Sequence, residues 1–184
     1  MDNYLTLLAS IVIGGLMLIN FVSYQAELRD HTFLQTSELA VQQTAMELIE
    51  IVKADLRQIG KGVSLAPFAV YDSSAVAFFA DLGNNGVIDT VRYSVSNTGA
   101  ASNTTNPNDR IFYRTVNGET QADAIGVTNF KVKFYNAASD VTTDLFEVKS
   151  IEVTLELENT VAYDDKYLHY FWRERITPAN LLPL

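Results

Sequence analysis

The stretch DLGNNGVID, residues 81–89, is where the side chains come nearest to spelling out a chemistry. Asp81, Asn85, Gly86, Val87 and Asp89 fall at positions 1, 5, 6, 7 and 9 of a calcium loop, in which carboxylate, amide and backbone oxygens wrap a hard cation around a glycine turn. Position 3 is Gly83 and position 12 is Arg92, so a second ligand and the bidentate acid are missing. The competing reading is a β-hairpin turn, since Asn84, Asn85 and Gly86 are residue types that tolerate positive φ. The turn outranks calcium, which is the one cofactor the sequence brings up.

Other reactive groups are sparse. Without cysteine there are no disulfides, thiolate metal sites or sulfur nucleophiles. His31 and His169 share no ligand spacing, and no phosphate-binding glycine loop, zinc signature or nucleophile elbow occurs. An enzyme is not expected. Asn103-Thr104-Thr105 is a sequon with the acceptor chemistry for an N-linked glycan. It lies in NTGAASNTTNPND, residues 97–109, which has no large apolar side chain and reads as an exposed loop. The net charge of -9, with Lys and Arg scattered, disfavours a nucleic-acid partner, because phosphate contacts need clustered cations.

The elements that position these groups begin with a long helix. Residues 3–26 carry no charge, and at about 1.5 Å per residue they make a helix of about 36 Å, enough to cross a hydrocarbon core of about 30 Å. A removed secretory signal is disfavoured, since no basic start precedes this stretch and no small-x-small cleavage site follows Val22. Past residue 26 the apolar positions Leu34, Val41, Ala45, Leu48, Val52, Leu56 and Ile59 keep to one helical face, with Arg29, Glu38, Gln43, Glu47, Glu50 and Gln58 on the others. Gly60 and Gly62, with Lys53, Arg57 and Lys61 about them, supply a stop near residue 59.

The remainder alternates with period two. VRYSVS, RIFYRTV, NFKVKFYN, KSIEVTLELEN and YLHYFWRERIT read as strands of an antiparallel sheet with one buried face. Lys131 and Lys133 lie opposite Phe130, Val132 and Phe134 in their strand, which suits them to the glutamates of residues 152–158 and makes those two strands neighbours. Tyr167, Tyr170, Phe171 and Trp172 are dense enough that both faces of their strand carry aromatics, as a core strand or a patch buried by another subunit. The expected class is α+β: a membrane-capable apolar half-helix (residues 1–26), an amphipathic half of the same helix (27–62), and a small β-sheet head (63–184).

The apolar half is also suited to helix–helix packing. Ala9, Ser10, Gly14 and Gly15 are small, Ser10 and Gly14 form a small-xxx-small pair, and Thr6, Ser10 and Asn20 are able to hydrogen-bond between helices.

This organisation resembles the type IV pilin and pseudopilin superfamily, in particular its larger minor pilins and pseudopilins. The resemblance rests on the helix ending in VKADLRQIGKG, on the acidic Gly/Asn turn between strands in FFADLGNNGVIDTVRYSV, and on RERITPANL near the end. It implies a subunit anchored in the inner membrane by its apolar half-helix, later packed with its copies in a helical filament at the cell surface, with the sheet outward. Its partners would be copies of itself, related pilins and the assembly machinery. A minor pilin or pseudopilin that primes a pilus or secretion filament is the alternative within the family, and a membrane-tethered monomeric binding or sensor domain the alternative outside it.

The resemblance also implies residue roles. If Met1 is the processed end, Gly14 matches a family glycine where the helix loosens on assembly, and Gly15 beside it raises the helix cost to about 2 kcal/mol relative to two alanines. The family's fifth-position glutamate is replaced by Leu5, leaving Asp2 as the acid able to meet a neighbour's terminal amine. Asp2, Leu5, Ala9, Ser10, Gly14, Gly15 and Leu18 are the expected subunit-packing residues.

Overall fold

The computed structural model describes residues 2–64, 66–163 and 166–181, with side chains except at 2, 70, 71 and 122–125. The fold is α+β. One helix, α1 (Asp2–Arg57), precedes seven strands: β1 (Phe68–Asp72), β2 (Ala75–Ala80), β3 (Asp89–Val95), β4 (Arg110–Val116), β5 (Glu119–Tyr135), β6 (Ser150–Glu158) and β7 (His169–Ile176). A single 3-10 turn follows at Ala179–Leu181. Two compact units divide the chain, Met1–Leu39 and Ala40–Leu184.

The seven strands form one sheet in chain order, each antiparallel to the next. Such a meander needs only short connections, and the chain supplies them. Asn117 and Gly118 both take positive φ (53° and 89°) between the paired residues Val116 and Glu119, the backbone of a two-residue hairpin turn matched to the strand twist. β5 and β6 are neighbours, as the lysine pattern required, with Lys133 opposite Glu152.

Six of the seven stripe residues are buried: Val41, Ala45, Leu48, Val52, Leu56 and Ile59. Leu34, in the other unit, is half-buried. The six join Phe78, Tyr93, Phe112, Phe130, Phe134, Ile151 and Leu155 in one core. The alternation in β6 thus meets the helix stripe, and burying each large side chain contributes about 1.5–3 kcal/mol. Phe112 sits at the centre of an aromatic row, its ring 5.5 Å from Tyr93 and 5.1 Å from Phe130.

The helix stops at Arg57, two residues before the expected end, and Gly60 and Gly62 follow with φ of 77° and 74°. The Gly60 amide then donates to the Phe79 carbonyl, which hands the chain to β2, while Asn180 Nδ2 donates to the Ile59 carbonyl. In β7 the aromatics divide: Tyr170 and Trp172 pack on the core, and Phe171 is exposed with the Arg173 guanidinium over its ring.

The expectation that residues 97–109 form a merely exposed loop is corrected. Ala101, Asn106 and Asp109 are buried, because the loop is stitched to the far end of β6 and the segment after it. The Thr105 amide and hydroxyl both donate to the Thr160 carbonyl, and the Tyr167 hydroxyl donates to the Thr105 carbonyl. Small polar side chains and backbone do this work, so hydrophobic periodicity carries no trace of it.

Gly126 shows how tight that end of the sheet is. Its φ is +96°, and a Cβ there would lie 2.8 Å from the Glu158 carbonyl oxygen. Gly126→Ala is expected to cost about 1–3 kcal/mol through left-handed backbone strain plus a clash with main chain. Urea unfolding of the two proteins checks this, and equal midpoints would sink it.

Candidate functional site

The apolar half of α1 stands exposed at every one of residues 3–26. It is the one helix among the described residues long and apolar enough to cross a membrane, and none of that stretch is buried. Tyr4, Leu5, Leu8, Ile11, Leu18 and Phe21 all stand exposed. An apolar surface of this length exceeds what a soluble monomer leaves open to water.

The polar groups on this half are consistent with an apolar surrounding. Ser10 Oγ donates to the Leu7 carbonyl and Asn20 Nδ2 to the Leu16 carbonyl, each at 2.8 Å, so the serine hydroxyl and one of the two asparagine N–H groups are satisfied within the helix. They are not thereby excluded from bonding between helices, since each keeps acceptor capacity. Ala9 and Ser10 are exposed, and a Cβ placed on Gly14 or Gly15 meets nothing within 4 Å. Neither glycine is required by the chain's own packing. The helix runs unbroken through residues 14–20. Asp2 opens α1, but its side chain lies outside the described residues.

In the 81–89 loop the arrangement is that of the turn. The carboxylate of Asp81 accepts the amides of Asn85 and Gly86 at 3.0 and 2.9 Å, one on each oxygen. Asp89 accepts the Leu82 amide on one oxygen and Asn117 Nδ2 on the other. Asn85 Oδ1 takes the Val87 amide, and the Val87 side chain is exposed. The oxygens of Asp81, Asn85 and Asp89 that the calcium reading named thus each accept a hydrogen bond within the turn or from its neighbour Asn117, which is the bonding the hairpin-turn reading calls for. Among the described residues no three His, Cys, Asp or Glu side chains gather as a metal group.

The Gly86 amide is the main influence holding the Asp81 carboxyl below its usual range. Burial opposes it, while the Asn85 amide and the charge of Lys61 add to it. A carboxyl depressed in the folded state stabilises above its unfolded pKa, and that contribution fades as pH falls through the lower folded value. Asp81→Asn is accordingly expected to lower the unfolding temperature at pH 7 and to close the gap with the native protein below about pH 4. A gap that stays constant from pH 7 to pH 3 would refute the assignment.

A buried polar cluster, not anticipated from the sequence, lies between α1 and the sheet. Tyr93 Oη donates to Asp55 Oδ2 at 2.5 Å, and Arg114 Nε donates to the same oxygen at 2.8 Å. Burial, then the Asp55 charge, pushes the Tyr93 hydroxyl far above its ordinary range, and the bond to Asp55 raises Arg114. Tyr93 thus stays neutral and Arg114 charged. One signal for this was available: Asp55 stands seven residues after Leu48 and three after Val52, a charge on the apolar stripe. A second ion pair, Lys53 to Glu174 at 2.9 Å, ties the helix to β7.

The remaining expected residues are dispersed. Asn103 is exposed, as a glycan acceptor must be. His169 pairs with Glu156 at 3.4 Å on the outer face, and His31 belongs to the other compact unit.

Neither a protein-family model nor a curated protein matches the chain. What the fold defines is a pilin-like architecture: a long N-terminal helix, apolar and then amphipathic, whose second half packs on an antiparallel sheet.

Proposed function

We propose that this protein is a structural subunit of a type IV pilus-like filament. It is held first in the inner membrane and then in the filament core by residues 1–26, with the sheet unit outward. The observation that carries the reading is the wholly exposed apolar half of α1, continuous with a half that is committed to the sheet's core. A bilayer covers such a surface before assembly, and identical helices cover it afterwards. Because a helix inserting among neighbours contacts a different patch from its own, the contact is heterologous and grows a helical filament rather than a closed ring.

Within that filament, Leu5, Ala9, Ser10, Gly14, Gly15 and Leu18 face neighbouring helices, the small residues permitting close approach. Asp2 meets a neighbour's terminal amine.

The test is to shear surface appendages from cells making the protein and to analyse them by cryo-electron microscopy and N-terminal mass spectrometry. Filaments composed mainly of this chain are expected, with the first peptide revealing any processing at Met1. Trace abundance in filaments built of another chain would reassign it as a minor pilin or pseudopilin that primes assembly. A monomer confined to the membrane fraction would overturn the reading in favour of a tethered domain.

A further inference from the structure

Asp109 is 1% exposed, and neither of its carboxylate oxygens has a hydrogen-bond partner within 3.5 Å among the described residues. A buried carboxylate is expensive unless something positive or protic meets it. The surroundings supply oxygen instead. Asn106 Nδ2 donates to Glu158 Oε2 at 2.7 Å and reaches the Asn159 carbonyl at 3.4 Å, which brings a second carboxylate to the loop that carries Asp109. Thr104 Oγ1 lies 3.4 Å from both the Ala101 and the Asn106 carbonyls. Burial pushes the Asp109 carboxyl up, a weaker contact from the Thr104 hydroxyl pulls it down, and the charge of Glu158 adds to the rise. Arg110, next in the chain, directs Nη1 to the Ser96 carbonyl, and its Nε is itself buried and unpartnered among the described residues.

We propose that Asp109 and Glu158, with the hydroxyl and carbonyl oxygens around Asn106, form a calcium site that clamps the 97–109 loop to the end of β6. Two carboxylates plus neutral oxygens, with no imidazole or thiolate, make a donor set for a hard cation. Calcium fits better than magnesium, because it tolerates irregular geometry and takes six to eight oxygens, whereas magnesium demands a near-ideal octahedron. The loop's backbone is already held by Thr160 and Tyr167, so the cation would meet a largely prebuilt cradle. The site is separate from the 81–89 turn, and it stands on the sheet unit alone, so it holds or fails independently of the filament reading.

The experiment is thermal unfolding of the full chain in detergent, chelator-treated and then given calcium chloride up to 10 mM, with magnesium chloride and matched sodium chloride as controls. The native protein is expected to gain several degrees with calcium alone. Asp109→Asn is expected to lose that gain and, in chelator, to melt higher than the native protein, since it removes an unpaired buried charge. Glu158→Gln is a second variant, expected to shift the calcium midpoint at least tenfold if Asp109→Asn fails to fold. No gain from calcium, an equal gain from magnesium, or an undiminished gain in the foldable variants would overturn the proposal.

Discussion

Asp55→Ala is expected to cost the sheet unit about 2–4 kcal/mol, because it leaves the fully buried Tyr93 hydroxyl and the part-buried Arg114 guanidinium without their shared acceptor. Asp55 is 6% exposed, and its Oδ2 receives both Tyr93 Oη and Arg114 Nε. In the variant the guanidinium keeps its charge and loses its acceptor, while the fully buried Tyr93 hydroxyl loses its own. Against a typical total stability of about 5–15 kcal/mol, that loss is large. Replacing the whole cluster by Asp55→Leu, Tyr93→Phe and Arg114→Met is expected to recover most of it, since no unmatched polar group remains. Urea unfolding of the full chain in detergent checks both. A single-variant loss below about 1 kcal/mol, or a triple variant less stable than the single one, would show that the cluster does not hold helix to sheet.

The second large effect falls on the other half of α1. Leu16→Arg places a charge near the middle of the span, where insertion becomes less favourable by about 2.5–3.5 kcal/mol. Leu16 is exposed within the chain, so the sheet unit is expected to unfold at an unchanged temperature. The two readouts separate cleanly. Alkaline extraction of membranes should release the variant and retain the native chain, while thermal unfolding of the sheet unit in detergent should not distinguish them. Full retention of the variant would mean that residues 3–26 are not what holds the protein in a bilayer.

These two variants probe parts of the chain that differ in how far the sequence reveals them. The stripe from Val41 to Ile59 could be read by spacing alone, and the structure buries each of its six members. The alternation of Ile151, Val153, Leu155 and Leu157 likewise marks the buried face of β6, and the lysines of β5 marked its neighbour. The uncharged run of residues 3–26 announced its own need for an apolar partner. Each of these is a local property: periodicity states which face of an element avoids water, and that preference holds whatever lies across from it.

The choice of partner is not local. Asp55 meets an arginine 59 residues away, and Asn106 meets Glu158 across 52. A charge on an apolar stripe marks a position that needs compensation without saying what supplies it. Asp109 offers even less, since it sits among Asn, Thr and Pro in a segment with the composition of a solvated loop. Likewise DLGNNGVID does not say which donors its carboxylates meet, and the backbone path of the turn brings the Asn85 and Gly86 amides to Asp81. Residue types and their spacing establish which surfaces must be buried and the elements that carry them, because hydrophobic burial is additive and non-directional. Which polar atoms meet is settled in the folded chain, because a hydrogen bond or ion pair depends on distances that exist once the elements have packed.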